Sequence, residues 1–175
     1  LPSQTPKQMN SYVLRTVHGD VIAIDGGYTE DAAYLKGFLA ALGNRVTAWF
    51  ITHQHLDHVD ALIDILRTSG DLQIDQIYGS LNTTAWAEAH EKDEAETTVQ
   101  LNEALAAAGQ EVIELELGQE LSFDGVHFEV LGIKNPEITV NAINNSSVVM
   151  RVRDETRSVL FPADLGAEAG RKLMA

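Results

Sequence analysis

The stretch TAWFITHQHLDHV, residues 47–59, decides what the rest of the chain can be. Its first half is apolar, β-branched and aromatic, which is typical of a buried strand. Its second half holds three of the six histidines of the chain, together with an aspartate. Beyond it, Val59, Leu62, Ile63 and Leu66 follow at helical spacing, which predicts a helix that begins near Asp57. The stretch therefore predicts a strand, a short polar loop and a helix.

The polar side chains of this stretch form a candidate metal site. His53 and His55 are two residues apart at a strand end, so both rings point to the same side, while Asp57 and His58 follow at the helix start. Neutral imidazole and ionised carboxylate suit zinc, manganese or iron, and the residue types alone do not choose among them. The alternative is a solvated loop in which Asp57 is only a helix N-cap, but no capping rule needs three histidines.

The pattern His53-x-His55-x-Asp57-His58 resembles the signature of the metallo-β-lactamase fold superfamily, and the resemblance covers nearly the whole chain. It implies an α/β fold, a metallo-β-lactamase-like αββα sandwich. It also implies a metal-dependent hydrolase with two divalent metal ions, most commonly zinc, with manganese or iron as alternatives. The first two histidines would bind one ion, and Asp57 with His58 would bind the other.

Two further aspartates follow apolar strands. A strand predicted at 21–25 ends in Asp25, followed by two glycines, and this is either a plain turn or, as the resemblance implies, a hydrogen-bond acceptor beneath the metals. A strand predicted at 158–163 precedes Asp164. Asp164 could be a helix N-cap, whereas the resemblance implies a carboxylate that bridges the two metals. The catalytic residues so implied are Asp57 and Asp164.

The sequence departs from the resembled family in two places. Before the strand predicted at 147–153, where a third histidine is expected, residues 141–146 read NAINNS. The form Asn-Asn-Ser-Ser resembles the variant in metallohydrolase domains of DNA-uptake channel proteins, and Asn144 or Asn145 could be a weak ligand or orient a water. The family's last histidine lies beyond the bridging aspartate, but this chain ends soon after it, at Ala175. We therefore expect a domain that is incomplete in its C-terminal part.

The remaining pattern predicts one domain. Residues 1–10, with two prolines, are expected to be an unstructured lead-in, and residues 11–175 form the partial hydrolase domain. Beyond the elements already given, helical spacing and turn signals predict further segments. The predicted helices span 29–42, 84–90 and 93–108, and the predicted strands span 12–17, 73–78, 111–117, 119–123 and 126–131.

Composition limits the possible partners. The 175 residues include no cysteine and carry a formal charge of -14. The missing cysteines exclude disulfides, a thiol nucleophile and thiolate ligands. The negative charge would repel a phosphate backbone, so we expect no nucleic-acid binding, although the resembled family includes nucleases. No apolar run approaches the ~20 residues of a membrane span, which predicts a soluble protein, cytoplasmic or exported.

Several functions remain open from the sequence. The asparagine-rich segment and the acidity favour hydrolysis of phosphoesters in a small-molecule substrate by a metal-activated water. Thioester or lactam hydrolysis is an alternative within enzymes, and a catalytically inactive metal-binding or interaction module is an alternative outside them. An unpaired sheet edge would also favour self-association of the chain.

Overall fold

The computed structural model describes residues 1–68 and 70–175. The strands are β1 (Tyr12–Arg15), β2 (Val21–Ile24), β3 (Arg45–Val46), β4 (Ala48–Ile51), β5 (Gln73–Ile74), β6 (Ile77–Gly79), β7 (Val112–Glu114), β8 (Glu120–Phe123), β9 (Val126–Gly132), β10 (Val149–Arg153) and β11 (Ser158–Phe161). The α-helices are α1 (Ala32–Ala41), α2 (Leu56–Thr68), α3 (Thr84–His90), α4 (Ala95–Ala108) and α5 (Ala167–Leu173).

A mixed five-stranded sheet in the order β1-β2-β4-β6-β7 forms the centre of the fold. β1 is antiparallel to β2, and the pairs β2 with β4, β4 with β6 and β6 with β7 are parallel. Parallel neighbours require crossovers, which α1, α2 and the α3–α4 pair provide. The carboxyl ends of the parallel strands therefore meet at one edge of the sheet, where ligands commonly bind in such folds.

Two apolar layers hold the sandwich together. One face of the five-stranded sheet packs under α1, α2 and α4, with Trp49, Leu35 and Leu62 fully buried between them. The other face packs against an antiparallel sheet in the order β11-β10-β9-β8. Phe50 stacks on Tyr78 of its own sheet and on Phe128 of the opposite one, with ring centroids 5.1 and 4.9 Å apart. This architecture confirms the predicted α/β sandwich.

The helix after Asp164 lies beside the second sheet. Leu131 of β9 and Val149 of β10 line, together with Ala169 and Leu173 of α5, a cavity of about 200 Å³. If Asp164 were the helix N-cap, the helix would begin at the next residue, but α5 begins at Ala167. Asp164 is therefore in the loop between β11 and α5, where its carboxylate is free to face the central sheet.

Residues 1–10 contain no helix or strand, yet they are fixed to the domain. The Ser3 hydroxyl and the Gln4 backbone N–H both donate to the buried carboxylate of Asp31, at 3.1 and 2.8 Å from Oδ1. The terminal amine donates to the Ser11 carbonyl at 2.6 Å. Residues 1–10 thus have no regular secondary structure, and two of them supply hydrogen-bond donors that the buried carboxylate of Asp31 needs.

The strand predicted at 73–78 is two strands. β5 pairs with β3 in a small separate sheet, and β6 pairs with β4 in the central one. Between them Asp75 donates its N–H to the Val46 carbonyl. Partners in two different sheets therefore divide the segment 73–78, which the sequence pattern predicts as one strand.

Within the residues that the structure describes, no helix combines the length and apolar character required to cross a membrane.

Candidate metal centre

The ends of β2 and β4 place the first polar residues of the site. Ile24 and Phe50 are paired in these parallel strands, so Asp25 and Thr52 come out of the sheet side by side. Asp25 Oδ1 accepts from the Thr52 N–H at 2.9 Å, and Oδ2 accepts from its hydroxyl at 2.7 Å. The φ of Asp25 is +54°, a conformation that aspartate tolerates better than most residues. The two strand ends thus fix a buried carboxylate beneath the loop that follows β4.

Asp25 orients His58. The Nδ1 atom of His58 lies 2.8 Å from Asp25 Oδ2, and both side chains are buried. With Nδ1 held in this way, Nε2 points toward the loop after β11. Burial alone would lower the pKa of His58, but the charges of Asp25 and Asp57 and the hydrogen bonds to Asp164 and Asp25 outweigh it and raise the pKa to about 10. Such a carboxylate partner is typical of metal-binding histidines.

His53, His58 and Asp164 come together from three separate parts of the chain. Each offers a ligand atom, and these atoms lie within 4.8 Å of one another. Asp164 Oδ1 is 3.5 Å from His58 Nε2, and Asp57 Oδ2 is 3.7 Å from the same nitrogen. The hydrogen bond with His58 lowers the pKa of Asp164. Two imidazoles and a carboxylate are a donor set that suits zinc, manganese or iron.

The Nε2 atom of His53 is the strongest sign that this cluster is built to hold a cation. It is buried, and no described residue provides a hydrogen-bond partner for it. Nδ1 of the same ring lies 3.1 Å from the Thr52 hydroxyl and 3.4 Å from the Ser147 hydroxyl. Burial, followed by the charges of His58 and His55, lowers the pKa of His53 well below its ordinary value. A neutral ring with a bare buried nitrogen fits a metal ligand, because an unpartnered buried polar atom is otherwise costly.

His55 lies next to His53 and has a carboxylate partner of its own. The two ring centroids are 4.8 Å apart and the rings meet edge to face. Nε2 of His55 is 3.2 Å from Glu91 Oε1. The two rings are therefore neighbours, but His55 and Asp57 are not among the three residues whose ligand atoms cluster.

Asp57 lies at the start of α2, where residues of the N-terminal segment contact it. Its Oδ2 accepts from Gln8 Nε2 at 2.6 Å and from Asn10 Nδ2 at 3.0 Å. Asn10 Nδ2 is also 3.0 Å from His58 Nε2. The amide of Asn10 therefore occupies the side of His58 on which a metal would bind.

The two asparagines singled out in the sequence have different surroundings. Asn144 neighbours the ring of His53 and favours its protonated form. Its Oδ1 is buried and has no hydrogen-bond partner among the described residues, while Nδ2 donates to Asn141 Oδ1 at 3.2 Å. An unpartnered amide oxygen beside an unpartnered imidazole nitrogen is what a shared cation would satisfy.

Asn145 is not brought to the histidines. Its Nδ2 donates to the Val140 carbonyl at 2.8 Å and to Glu168 Oε2 at 3.2 Å. Its Oδ1 accepts from the Ala169 N–H at 3.0 Å. The amide is fully used in holding α5 against the loop, which leaves it no free group for the weak-ligand or water-orienting role that the sequence allowed for Asn145.

Sequence reasoning missed Gln8, Asn10 and Glu91. Each is a single polar residue in a polar segment, and each meets the site through contacts between distant parts of the chain. No local spacing marks such residues. Thr52 lies inside the opening stretch, and its position directly before His53 was the one available signal.

A cavity of about 180 Å³ opens beside His58 and Asp164. Its walls are mostly apolar and aromatic, with Tyr12 from β1 and Phe161 from β11 in edge-to-face contact at 5.1 Å. Asp25 and Thr52 contribute the polar end. The cluster therefore has an adjoining space large enough for a small group.

Comparison with known proteins gives a sequence family and a fold. The sequence model of the metallo-beta-lactamase superfamily matches residues 4–174. A solved structure similar to the chain is the metallo-beta-lactamase fold protein YhfI from Bacillus subtilis, at 18% identity and a TM-score of 0.54, covering 93% of this chain and 57% of that one. A search of curated protein sequences gave no match.

Two lactamases from other bacteria are similar to a comparable degree. The Cronobacter sakazakii metallo-beta-lactamase with a HARLDQ motif has 20% identity and a TM-score of 0.53, with 87% of this chain and 55% of that chain covered. BJP-1, a subclass B3 enzyme of Bradyrhizobium japonicum, has 17% identity and a TM-score of 0.51, with the same coverages of 87% and 55%. At such identities the likeness concerns the fold, and the chain spans just over half the length of these proteins.

Proposed function

The chain belongs to the metallo-beta-lactamase superfamily, and from that premise we propose that it is a metal-dependent hydrolase. The observation that carries the proposal is the bare, buried Nε2 of His53 within a cluster that also contains His58 and Asp164. The family match over residues 4–174 and the cluster of His53, His58 and Asp164 both support a metal-dependent reaction.

We assign the centre two divalent ions, zinc first, with manganese or iron as alternatives. His53 and His55 would hold one ion, Asp57 and His58 the other, and Asp164 would lie between them. Asn144 Oδ1 is a further oxygen beside His53. Divalent ions bound here would supply Lewis acidity and lower the pKa of water toward ~7.

The carboxylates of the chain would then act on the substrate and on water. We assign Asp57, at the N-terminus of α2, the role of orienting the attacking water and accepting its proton. Asp164 has a pKa lowered by His58, so it is ionised at neutral pH. Asp25 holds His58 in place from below and has no direct part in bond cleavage.

A small phosphoester is the substrate class that the observations favour. The cavity next to His58 and Asp164 holds about 180 Å³, which is below the size of pockets for drug-sized ligands. The formal charge of -14 disfavours a long polyanion such as nucleic acid. A compact monoanionic or dianionic ester satisfies both limits, since cations at the centre would offset its charge.

One observation favours a different function, a metal-binding or interaction module without catalysis. The segment that meets His53 brings the amide of Asn144, and an amide oxygen is a weaker ligand than an imidazole for zinc. A centre weakened in this way could hold a cation without activating water. Self-association through the edge strand β11, where Val159 and Leu160 are 51% and 54% exposed, stays a prediction in either case.

Hydrolysis assays on the metal-loaded protein separate these functions. The probes are a chromogenic aryl phosphodiester, an aryl thioester and a chromogenic cephalosporin, each tested with zinc and with manganese. We expect hydrolysis of the phosphodiester that is lost in Asp164→Asn. Cleavage of the thioester or the lactam alone would refute the substrate class, and bound metal without hydrolysis of any probe would favour the module.

A further inference from the structure

Glu91 links two parts of the site that are far apart in sequence. It is the residue that ends α3, with φ of −151° and ψ of 65°. Its Oε1 lies 3.2 Å from His55 Nε2, and its Oε2 accepts from the Ile143 N–H at 2.8 Å. The side chains of His55 and Glu91 are only 15% and 24% exposed. The Glu91 carboxylate is thus half-buried, and each of its two oxygens has its own hydrogen-bond partner.

The contact determines which nitrogen of His55 is available. A carboxylate can only accept a hydrogen bond, so the proton of a neutral His55 ring lies on Nε2. Nδ1 is then the ring nitrogen without a proton, and it is the one left to act as a ligand. Histidine ligands of metals are commonly fixed in this manner by a second hydrogen bond from the other ring nitrogen.

The second oxygen of Glu91 acts on the loop that carries Asn144. Ile143 is buried and directly precedes Asn144, the residue whose side chain contacts His53. By holding the Ile143 N–H, Glu91 fixes the start of the short helical turn Asn144–Ser146. One carboxylate thus sets the distance between the histidine motif and the asparagine loop.

We propose that Glu91 is a positioning residue of the metal centre, which fixes the ring orientation of His55 and holds the loop of Asn144 through the Ile143 N–H. The inference rests on the proposed metal centre and extends it to a residue outside the recognised motifs. Glu91 does not touch the reacting atoms, so it acts through His55. The ordinary alternative is a simple ion pair between Glu91 and His55, which would contribute little to stability and would not affect metal binding.

Cobalt(II) binding tests the proposal, because its visible spectrum reports the ligand atoms directly. We compare the unaltered chain with Glu91→Ala, Glu91→Gln and the matched control Glu88→Gln, an exposed glutamate on the same helix. Glu91→Ala is expected to weaken cobalt(II) binding by about 10- to 100-fold and to shift the absorption bands. Glu91→Gln keeps one acceptor oxygen, so its loss should be smaller, and Glu88→Gln should bind like the unaltered chain.

A double-variant comparison separates positioning of His55 from general support of the loop. In a His55→Ala background, Glu91→Ala should cause a clearly smaller further loss, because only its support of the Ile143 N–H remains. An equal loss in both backgrounds, or unchanged spectra in Glu91→Ala, would overturn the proposal. Failure of the unaltered chain to bind cobalt(II) would instead refute the metal centre itself, and with it this inference.

Discussion

Replacing Asp25 by asparagine removes a negative charge from beneath the histidines and leaves the side chain the same size. Asparagine also tolerates the positive φ of +54° at this position. Its Oδ1 can still accept from the Thr52 N–H, and its amide nitrogen can donate to the Thr52 hydroxyl. What is lost is the acceptor 2.8 Å from His58 Nδ1.

The loss of folding stability in Asp25→Asn follows from that single contact. A buried hydrogen bond to a charged group contributes about 1.5–3 kcal/mol, which for a domain of this size corresponds to a decrease in Tm of roughly 3–12 °C. The effect on metal binding is larger. The amide nitrogen would donate to Nδ1 and leave the proton of His58 on Nε2, the atom that faces Asp164. Loss of such a supporting carboxylate typically weakens metal binding about 10- to 100-fold.

Zinc affinity, measured by competition with a chromophoric chelator, and thermal unfolding of the metal-free chain test this expectation together. Asp31→Asn is the matched control, because Asp31 is also buried but accepts from Ser3 and Gln4. The control should lose stability and keep its zinc affinity. Unchanged zinc affinity in Asp25→Asn would show that Asp25 does not set the orientation of His58.

Three further predictions concern other parts of the molecule. The pKa of His58 is raised from 6.5 to about 10, so zinc binding at neutral pH displaces a proton. Titration calorimetry should therefore find a zinc affinity that rises about tenfold per pH unit up to that pKa. In His58→Asn the zinc affinity should depend less steeply on pH. For the same reason the metal-free fold keeps the full stabilisation from His58 below pH 6.5 and loses it as the pH rises through about 10. Phe50→Ala should lower the free energy of unfolding, measured with urea, by about 3–5 kcal/mol, because the ring is fully buried between the two sheets. Val159→Ala on an exposed edge strand should lower it by less than about 0.5 kcal/mol. Asn10→Ala should tighten zinc binding about two- to tenfold, since its amide donates to Asp57 on the side of His58 where a metal would bind; weaker binding in the same competition assay would contradict this.

The strand, loop and helix around residues 47–59 could be predicted from the sequence because their signals are local. Apolar β-branched residues, histidines two apart and a helical apolar spacing all lie within one short segment, and β4 and α2 follow them closely. The family resemblance that these residues carry is confirmed by the match over residues 4–174. Its finer likeness to domains of DNA-uptake channel proteins stays a prediction.

The supporting residues could not be predicted, because their roles depend on tertiary contacts. Asn144 and Asn145 are neighbours of the same type, and only the turn between Asn141 and Ser147 sends one amide to His53 and the other to α5. Glu91 lies in the acidic run 88–96, and charged residues in such runs are mostly exposed to solvent. Sequence spacing measures separation along the chain, whereas these contacts join residues 36 and 52 positions apart.

Metal content is the measurement that tests the central claim most directly. The unaltered chain and the His53→Ala/His58→Ala double variant would be dialysed against trace zinc and analysed for bound metal, with circular dichroism to show that both are folded. The account predicts up to two equivalents of zinc on the unaltered chain and none on the double variant. A folded, unaltered chain without bound metal, or a double variant with equal metal content, would contradict it.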